Sequence, residues 1–255
     1  MDDLIKTLTL EPVEVNLFLG RSPREERTRI FGGQVVAQAL VAAYNTVAGR
    51  LCHSLQSYFS RPGDPAQPVL YQVERSRDGK SFATRRVIAI QKGEQIFNMA
   101  CSFHIEEPGF DHQSAPPAII GPEEARQLLL QNPAYMKQAG RWMGASPIDF
   151  LPLDPNDEES PVVKPSQQCV WFRAKRDIGD DPVMNQALLA YASDYSLLGT
   201  ALRPHGITWT QAQSASLDHI IWFHRPTNFS HWHLYVQDSP SAHGARGFNR
   251  GAIYR

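Results

Sequence analysis

The most informative segment for the fold class is Phe31–Val47, FGGQVVAQALVAAYNTV. Its apolar residues recur at helical spacing, with Val36, Leu40 and Ala43 on one face and further alanines that allow close contacts. Long strand patterns follow it. A nearly all-apolar helix of this kind has to be covered on most sides, and a curved antiparallel sheet wrapped around it does so. The stretch therefore predicts the α+β class.

The strand patterns of the first half are joined by turn signals, of which Asp78-Gly79 is typical of a hairpin. The predicted strands are His53–Ser60, Val69–Arg77, Ser81–Gln91 and Gln95–Glu106. The second half repeats this order of elements. Its predicted elements are the strand Cys169–Lys175, the helix Pro182–Leu202 and the strands Ser214–Phe223, His233–Asp238 and Arg246–Tyr254.

A short motif supports a duplication. Phe59–Pro62, FSRP, is echoed by Phe223–Pro226, FHRP, and each copy follows a helix and a strand. We predict two tandem copies of a central helix wrapped by a curved antiparallel sheet. The predicted division is an N-terminal repeat over 1–105, a linker over 106–167 and a C-terminal repeat over 168–255.

The predicted linker is rich in proline. Ten of the 19 prolines lie between Pro108 and Pro165, and proline removes a backbone donor and fixes φ. Only Glu123–Gln131 within it predicts a helix, because it follows Gly-Pro and ends at Asn-Pro. The linker is expected to cross between the two halves.

The second copy lacks one element of the first. After residue 226 it contains no counterpart of Gln95–Ile105. The repeat therefore predicts one more strand after residue 255.

Composition excludes several classes of protein. A formal net charge of −1 and a pI near 6.8 argue against a nucleic-acid surface. The three widely spaced cysteines, Cys52, Cys101 and Cys169, fit neither a disulfide framework nor a metal knuckle, so they indicate a reducing compartment. The N-terminus shows no secretory signal, and the most apolar helical stretch, Val35–Ala48, is too short to span a bilayer. We expect a soluble, cytoplasmic protein without stable membrane insertion.

Asp194 is the most informative candidate for chemistry. On the predicted helix its neighbours three and four positions away are Ala190, Tyr191, Leu197 and Leu198. A carboxylate among such side chains is partly buried, which raises its pKa and suits it to take a proton from water near neutral pH. The alternative is that the Ser-Asp pair caps a second helical segment starting at the next residue.

Ser216 is the second candidate. On a strand it shares a face with Asp218, whereas His219 takes the other face, so these residues cannot form a local nucleophile–base pair. No G-x-S-x-G elbow occurs, and a serine-hydrolase triad is not expected. Ser216 can bond a water or a substrate carbonyl; the alternative is a strand serine whose hydroxyl bonds the backbone.

Three further features are open to two interpretations. Free N–H groups at Gly32 and Gly33 can polarise a carbonyl oxygen, or the glycines allow the helix to pack tightly against the sheet. Arg85 and Arg86, within a basic hairpin, can hold phosphates, or they lie on a solvated face. His231 and His233 have metal-ligand spacing, but no carboxylate or cysteine completes the set, so no metal is expected.

Five segments together resemble the acyl-coenzyme A thioesterase II family. They are Phe31–Leu40, Ser57–Asp64, Arg77–Phe82, Ala192–Asp194 and Asp218–Pro226. The resemblance covers almost the whole chain, and its motifs occur in the right order. The family's fold is the double hot dog, which matches the duplication inferred above. Tyr58, within the second segment, is a further candidate for substrate binding.

The resemblance implies hydrolysis of fatty acyl-CoA to free fatty acid and CoA, without a metal, a cofactor or a covalent intermediate. The family's catalytic aspartate and hydroxyl residue match Asp194 and Ser216, which would activate and orient the attacking water. Its glutamine belongs to the strand predicted after residue 255, so we expect residues 1–255 alone to be impaired. Gln56 stands where the family usually has histidine. Hot-dog sheets commonly associate back to back, which implies a homo-oligomer.

Two other functions remain open. One is another hot-dog enzyme on acyl thioesters, such as a hydratase, although the chain lacks that enzyme's clear Asp/His pair at a helix start. The other is a non-catalytic acyl-CoA binding protein, which would be indifferent to the loss of the Asp194 carboxylate.

Overall fold

The computed structural model describes residues 1–23, 28–133, 135–136 and 146–255, which form two compact units. The first unit consists of Met1–Phe110, Ile178–Asp194 and Ser216–Asn228. The second consists of Asp111–Asp177, Tyr195–Ala215 and Phe229–Arg255. The units interleave along the chain, whereas the predicted boundaries 1–105, 106–167 and 168–255 follow the sequence repeat; that division stays a prediction.

In the part of the first unit that the structure describes, there are a seven-stranded antiparallel sheet and three helices. The strands are β1 (Glu11–Glu14), β2 (Leu17–Gly20), β3 (Leu51–Phe59), β4 (Val69–Asp78), β5 (Phe82–Gln91), β6 (Glu94–His104) and β9 (Asp218–Trp222). The helices are α1 (Asp2–Leu8), α2 (Gly32–Tyr44) and α4 (Pro182–Ser193). The strand order is β1-β2-β4-β5-β6-β3-β9.

The predicted central helix is confirmed as α2. Every residue from Gly33 to Tyr44 is buried, and α2 packs against α4 and the sheet. Its polar residue Gln38 has buried partners: the Tyr71 hydroxyl donates to Gln38 Oε1 at 2.8 Å, and Gln38 Nε2 donates to the Thr7 carbonyl at 2.6 Å. The apolar run therefore tolerates Gln38 because its amide is hydrogen-bonded.

A buried ring of hydrogen bonds joins α2, β3 and α4. The Tyr44 hydroxyl donates to Gln186 Oε1, and it accepts from the Cys52 N–H at 2.7 Å. Gln186 Nε2 in turn donates to the Cys52 carbonyl at 3.0 Å. These bonds fix the two helices against each other, since each buried polar group has a specific partner.

The sheet of the first half continues into a strand of the second half. β9 pairs antiparallel with β3, and Ser57 lies opposite His219. This pairing brings the segment that contains Ser216 alongside β3.

The second unit contains the antiparallel sheet β11-β10-β8-β7. Its strands are β7 (Ile148–Pro152), β8 (Gln167–Ala174), β10 (His233–His243) and β11 (Arg246–Tyr254), and its helices include α3 (Pro122–Leu130) and α5 (Leu197–Thr200). α3 confirms the helix predicted within 106–167. The same segment also supplies the edge strand β7, which pairs with β8 and was not predicted. Residues 134 and 137–145 of the predicted linker lie outside the described residues.

Two predicted boundaries were wrong. The helix predicted over Pro182–Leu202 breaks after Ser193, because Ser196 takes a left-handed φ of 60° before α5 begins. The strand predicted to end at Asp238 continues to His243 as β10. A register shift between Asp238 and Ser241 brackets Pro240, and such an irregularity lets the strand continue past a residue without an N–H. The further strand predicted after residue 255 stays a prediction.

Arg85 is a core residue, so the expectation that it holds phosphates is wrong. Its side chain on β5 is 1% exposed. Nε donates to Thr46 Oγ1 at 2.8 Å, and Nη2 donates to the Thr46 carbonyl at 3.0 Å and to Asp78 at 2.6 Å. Nη1 donates to the carbonyls of Arg77 and Thr84, each at 2.9 Å. All five guanidinium donors are thus used. The bonds to Thr46 tie the β4–β5 hairpin to the residues just after α2, and the other three lie within the hairpin.

Replacing Arg85 with alanine should lower the free energy of unfolding by about 2–4 kcal/mol, since it opens a buried site and leaves carbonyls unpaired. The exposed neighbour gives the control: Arg86→Ala should change that free energy by less than about 0.5 kcal/mol. Urea denaturation measures both. Equal, small losses for the two variants would contradict the structural role of Arg85.

Candidate active site

Asp194 lies at the C-terminal end of α4, where the helix stops. It is the C-cap residue, with φ −83° and ψ −7°, and the preceding Ser193 hydroxyl donates to the Ala190 carbonyl at 2.8 Å. The next helix, α5, begins only after Ser196. The alternative that Asp194 caps a segment starting at residue 195 is therefore wrong.

The Asp194 carboxylate instead receives two hydrogen bonds from segments far away in sequence. Oδ2 accepts from the Gly33 N–H at 2.9 Å, and Oδ1 accepts from the Ser216 hydroxyl at 3.4 Å. Gly33 belongs to the first turn of α2, whose N-cap residue Phe31 makes no side-chain capping bond. The carboxylate thus occupies the capping place at α2, where the helix dipole favours negative charge.

Burial raises the pKa of Asp194 from 3.8 to about 6, although the hydrogen bonds from Gly33 and Ser216 act in the opposite direction. The residue as a whole is neither fully buried nor fully exposed. A carboxylate with this pKa is mostly ionised at neutral pH. It is also basic enough to accept a proton from a bound water.

The two glycines of α2 make room for this arrangement. A Cβ atom on Gly32 would lie 2.8 Å from Asp194 Oδ2, and one on Gly33 would lie 2.3 Å from the Tyr191 carbonyl oxygen. A side chain at either position would displace the carboxylate or α4. The Gly33 N–H is bound to Asp194, so the expectation that it polarises a substrate carbonyl is not met in this arrangement.

Ser216 lies two residues before the first residue of β9 and is half-buried, so the strand is shorter than predicted. Its hydroxyl bonds Asp194, which favours a role beside the carboxylate over a serine whose hydroxyl bonds only the backbone. Along β9, Asp218 is exposed and His219 is buried. This alternation agrees with the exclusion of a local nucleophile–base pair.

Two other candidates lie away from the carboxylate. Tyr58 is 62% exposed, whereas the preceding residue, Ser57, is buried. The ring of the following residue, Phe59, lies against Gly32. Since side chains alternate along a strand, Tyr58 faces the opposite side of the sheet from Asp194. Arg86 is exposed on β5. The structure does not bring either of them to Asp194.

Sequence reasoning named Tyr191 as a helical neighbour of Asp194 but missed its contact with Phe31. The rings of Phe31 and Tyr191 meet edge to face with centroids 5.0 Å apart. With Gln34 and Pro65 they line a pocket next to the start of α2. Tyr191 stands three residues before Asp194 on α4, and that spacing was the signal available in the sequence.

The histidine pair proposed as possible metal ligands has another arrangement. His233 is buried, and its Nδ1 bonds the His231 carbonyl at 2.8 Å. Across the described ranges, no group of three or more histidine, cysteine or acidic side chains is placed to hold a metal ion. Nor does any helix in those ranges combine the length and apolar character needed to cross a bilayer.

The raised pKa of Asp194 has a consequence for stability. Between its ordinary pKa of 3.8 and the folded value of about 6, the folded state binds the proton more tightly than the unfolded state. Stability therefore falls as pH rises through this window. Asp194→Asn removes the cost of the buried charge, so the variant should be about 1–3 kcal/mol more stable than wild type at pH 7 and equal to it near pH 4.

Urea denaturation at the two pH values tests this, with the exposed Asp218→Asn as a control that should stay within about 0.5 kcal/mol of wild type. An Asp194→Asn variant that is no more stable than wild type at pH 7 would show that the carboxylate is not strained by burial.

Comparison with known proteins places both halves of the chain in one family. Residues 21–104 match the acyl-CoA thioesterase N-terminal domain, and residues 160–255 match acyl-CoA thioesterase. Human acyl-coenzyme A thioesterase 8 is 41% identical over 97% of this chain and 82% of its own length. Acyl-CoA thioesterase 2 of Haemophilus influenzae is 36% identical over 100% of this chain and 92% of its own.

Among solved structures, the acyl-CoA thioesterase II TesB2 of Mycobacterium marinum superposes with a TM-score of 0.80. It is 40% identical, and the match covers 98% of this chain and 91% of that one. This likeness confirms the predicted double hot-dog fold. The matches to both halves and the identity over nearly the full length show that the chain belongs to the acyl-CoA thioesterase family and is a thioester hydrolase.

Proposed function

We propose that the protein hydrolyses fatty acyl-CoA to free fatty acid and CoA, with Asp194 as the general base. One observation carries this proposal: a carboxylate whose pKa is raised by burial to about 6 is held by Gly33 and Ser216 at the start of α2. The names of the human and Haemophilus relatives support acyl-CoA as the substrate class.

In the proposed reaction, Asp194 takes a proton from water while the water oxygen bonds to the thioester carbonyl carbon. The carbon–sulfur bond then breaks, and the leaving CoA thiolate takes up the proton held by Asp194, which restores the carboxylate. The Ser216 hydroxyl, which contacts the same carboxylate, orients the attacking water.

Replacing the base should abolish most turnover. Asp194→Asn retains the size of the side chain but cannot take the proton, so kcat for CoA thiol release should fall by about 10²- to 10⁴-fold. In wild type, kcat should decline as pH falls below about 6, because protonated Asp194 is inactive. The measurement is thiol release from short-, medium- and long-chain acyl-CoA across a pH series.

Asp218→Asn, on the exposed face of β9, is the matched control and should retain wild-type turnover. If Asp194→Asn keeps its kcat, the base assignment is wrong. If no form releases CoA and all bind acyl-CoA, the protein is a non-catalytic acyl-CoA binder.

We also propose that the protein is a homo-oligomer that associates through the outer face of its seven-stranded sheet. Tyr58, Ile220 and Trp222 are 62%, 41% and 58% exposed, and the β3–β9 register puts them on one face. Exposed aromatic and aliphatic side chains grouped in this way are typical of protein interfaces.

Trp222→Arg should therefore shift the protein to a smaller species in light scattering coupled to gel filtration. Leu128→Arg, at a similarly exposed position on α3, should leave the mass unchanged. A wild-type protein that is monomeric at micromolar concentration would contradict the proposal.

We further propose that the protein is located in the cytoplasm and acts in fatty-acid metabolism. Cys52, Cys101 and Cys169 are all free thiols, and Cys52 and Cys101 are buried, which fits a reducing compartment. Cell fractionation tests the location, and recovery of the protein in an oxidising compartment would contradict it.

A further inference from the structure

A buried histidine links β9 to the last turn of α4. His219 is 7% exposed, and its Nε2 lies 2.8 Å from Ser193 Oγ. Because the Ser193 hydroxyl donates to the Ala190 carbonyl at 2.8 Å, its oxygen is left to accept. With the Ser193 hydroxyl oriented in this way, the His219 tautomer that satisfies both groups has its proton on Nε2 and donates to Ser193 Oγ.

The imidazole is neutral. Burial lowers the pKa of His219 to about 4, even though the nearby Asp218 acts in the opposite direction. Its donor state is therefore constant across the pH range in which Asp194 is ionised. The hydrogen bond is a fixed structural link and not a switch.

The backbone of His219 is also fixed. The Ser57 hydroxyl donates to the His219 carbonyl at 2.7 Å, and Ser57 is the β3 residue that lies opposite His219 in the sheet. Ser57 is 1% exposed. The imidazole therefore projects from an anchored point of the sheet towards α4.

This link joins the two segments that carry the proposed catalytic groups. Ser193 directly precedes Asp194, and His219 follows Ser216 by three residues. We propose that His219 is a positioning residue: its hydrogen bond to Ser193 holds the end of α4 at the distance from β9 that lets Ser216 and Asp194 act on one water. This inference rests on the proposed function.

The separation between Ser216 and Asp194 explains why such a link matters. Their oxygens are 3.4 Å apart, which is already long for a hydrogen bond between a hydroxyl and a carboxylate. A further displacement of about 1 Å at a catalytic group can cost about 100-fold in rate. Loosening the end of α4 is therefore expected to lower kcat more than it changes substrate binding.

Three variants test the proposal on the full chain. His219→Phe keeps an aromatic ring and removes the donor; Ser193→Ala removes the acceptor; His219→Gln keeps an N–H that can reach Ser193. We expect His219→Phe and Ser193→Ala to lower kcat about 10- to 100-fold, with KM within about threefold of wild type. His219→Gln should recover most of the loss, and the double variant should be no worse than His219→Phe.

His233→Phe is the matched control. His233 is a second buried histidine whose Nδ1 bonds a carbonyl, and burial likewise lowers its pKa to about 4. It lies in the other compact unit, so its loss should lower stability without lowering the kcat of the folded fraction. Circular dichroism and urea denaturation give the folded fraction of each variant.

Several results would overturn the proposal. A folded His219→Phe with wild-type kcat, or a folded His219→Gln as slow as His219→Phe, would show that the histidine only fills space. An equal loss of kcat in His233→Phe would show the same. If His219→Phe does not fold, Ser193→Ala decides alone. Full turnover in Asp194→Asn would refute the proposal that Asp194 is the base. Wild-type turnover in a folded His219→Phe would refute only the positioning role of His219.

Discussion

The contact between the Asp194 carboxylate and the first turn of α2 is the constraint on which the site depends. The carboxylate lies among mostly protein atoms, which penalises its charge, and the Gly33 N–H at 2.9 Å together with the helix dipole offsets part of that cost. The contact forms only if α4 stops at Asp194 and if α2 begins with residues that lack a side chain. Gly32 and Gly33 are therefore as necessary to the carboxylate as its own hydrogen bonds.

The interior around this contact is held by polar side chains with fixed partners. Tyr44, Gln186 and Cys52 form a closed ring of hydrogen bonds between the helices and β3, and Arg85 joins the end of α2 to a hairpin. A buried polar group lowers the stability of the fold when it has no hydrogen-bond partner, and it favours one particular packing when it has one. These hydrogen bonds hold α2 and α4 in place within the core. The position of the Asp194 carboxylate therefore depends on the core as well as on its immediate neighbours.

Much of the fold could be predicted from the sequence, because its signals are local. The helical period of Phe31–Val47 and the strand patterns up to residue 106 predicted α2 and β3 to β6 nearly to their ends. The prolines predicted an irregular segment, but not β7, since an edge strand tolerates proline and leaves only a weak pattern.

What could not be predicted depends on contacts between distant residues. Asp194 could be recognised as a perturbed carboxylate from its apolar neighbours, but its bond to Gly33, 161 residues away, has no local signal. Arg85 was misjudged because it belongs to a basic run. The alternation of buried residues through Ala83, Arg85 and Val87 was the signal that marked it as internal.

The most direct test of the central claim is the protonation state of Asp194 itself, followed by carbon-13 NMR of its labelled carboxyl group, with Asp194→Asn used to assign the signal. We expect this group to titrate near pH 6, with a midpoint that coincides with the decline of kcat for CoA release. A midpoint at the ordinary value of 3.8, with turnover declining elsewhere, would contradict the assignment of Asp194 as the buried base.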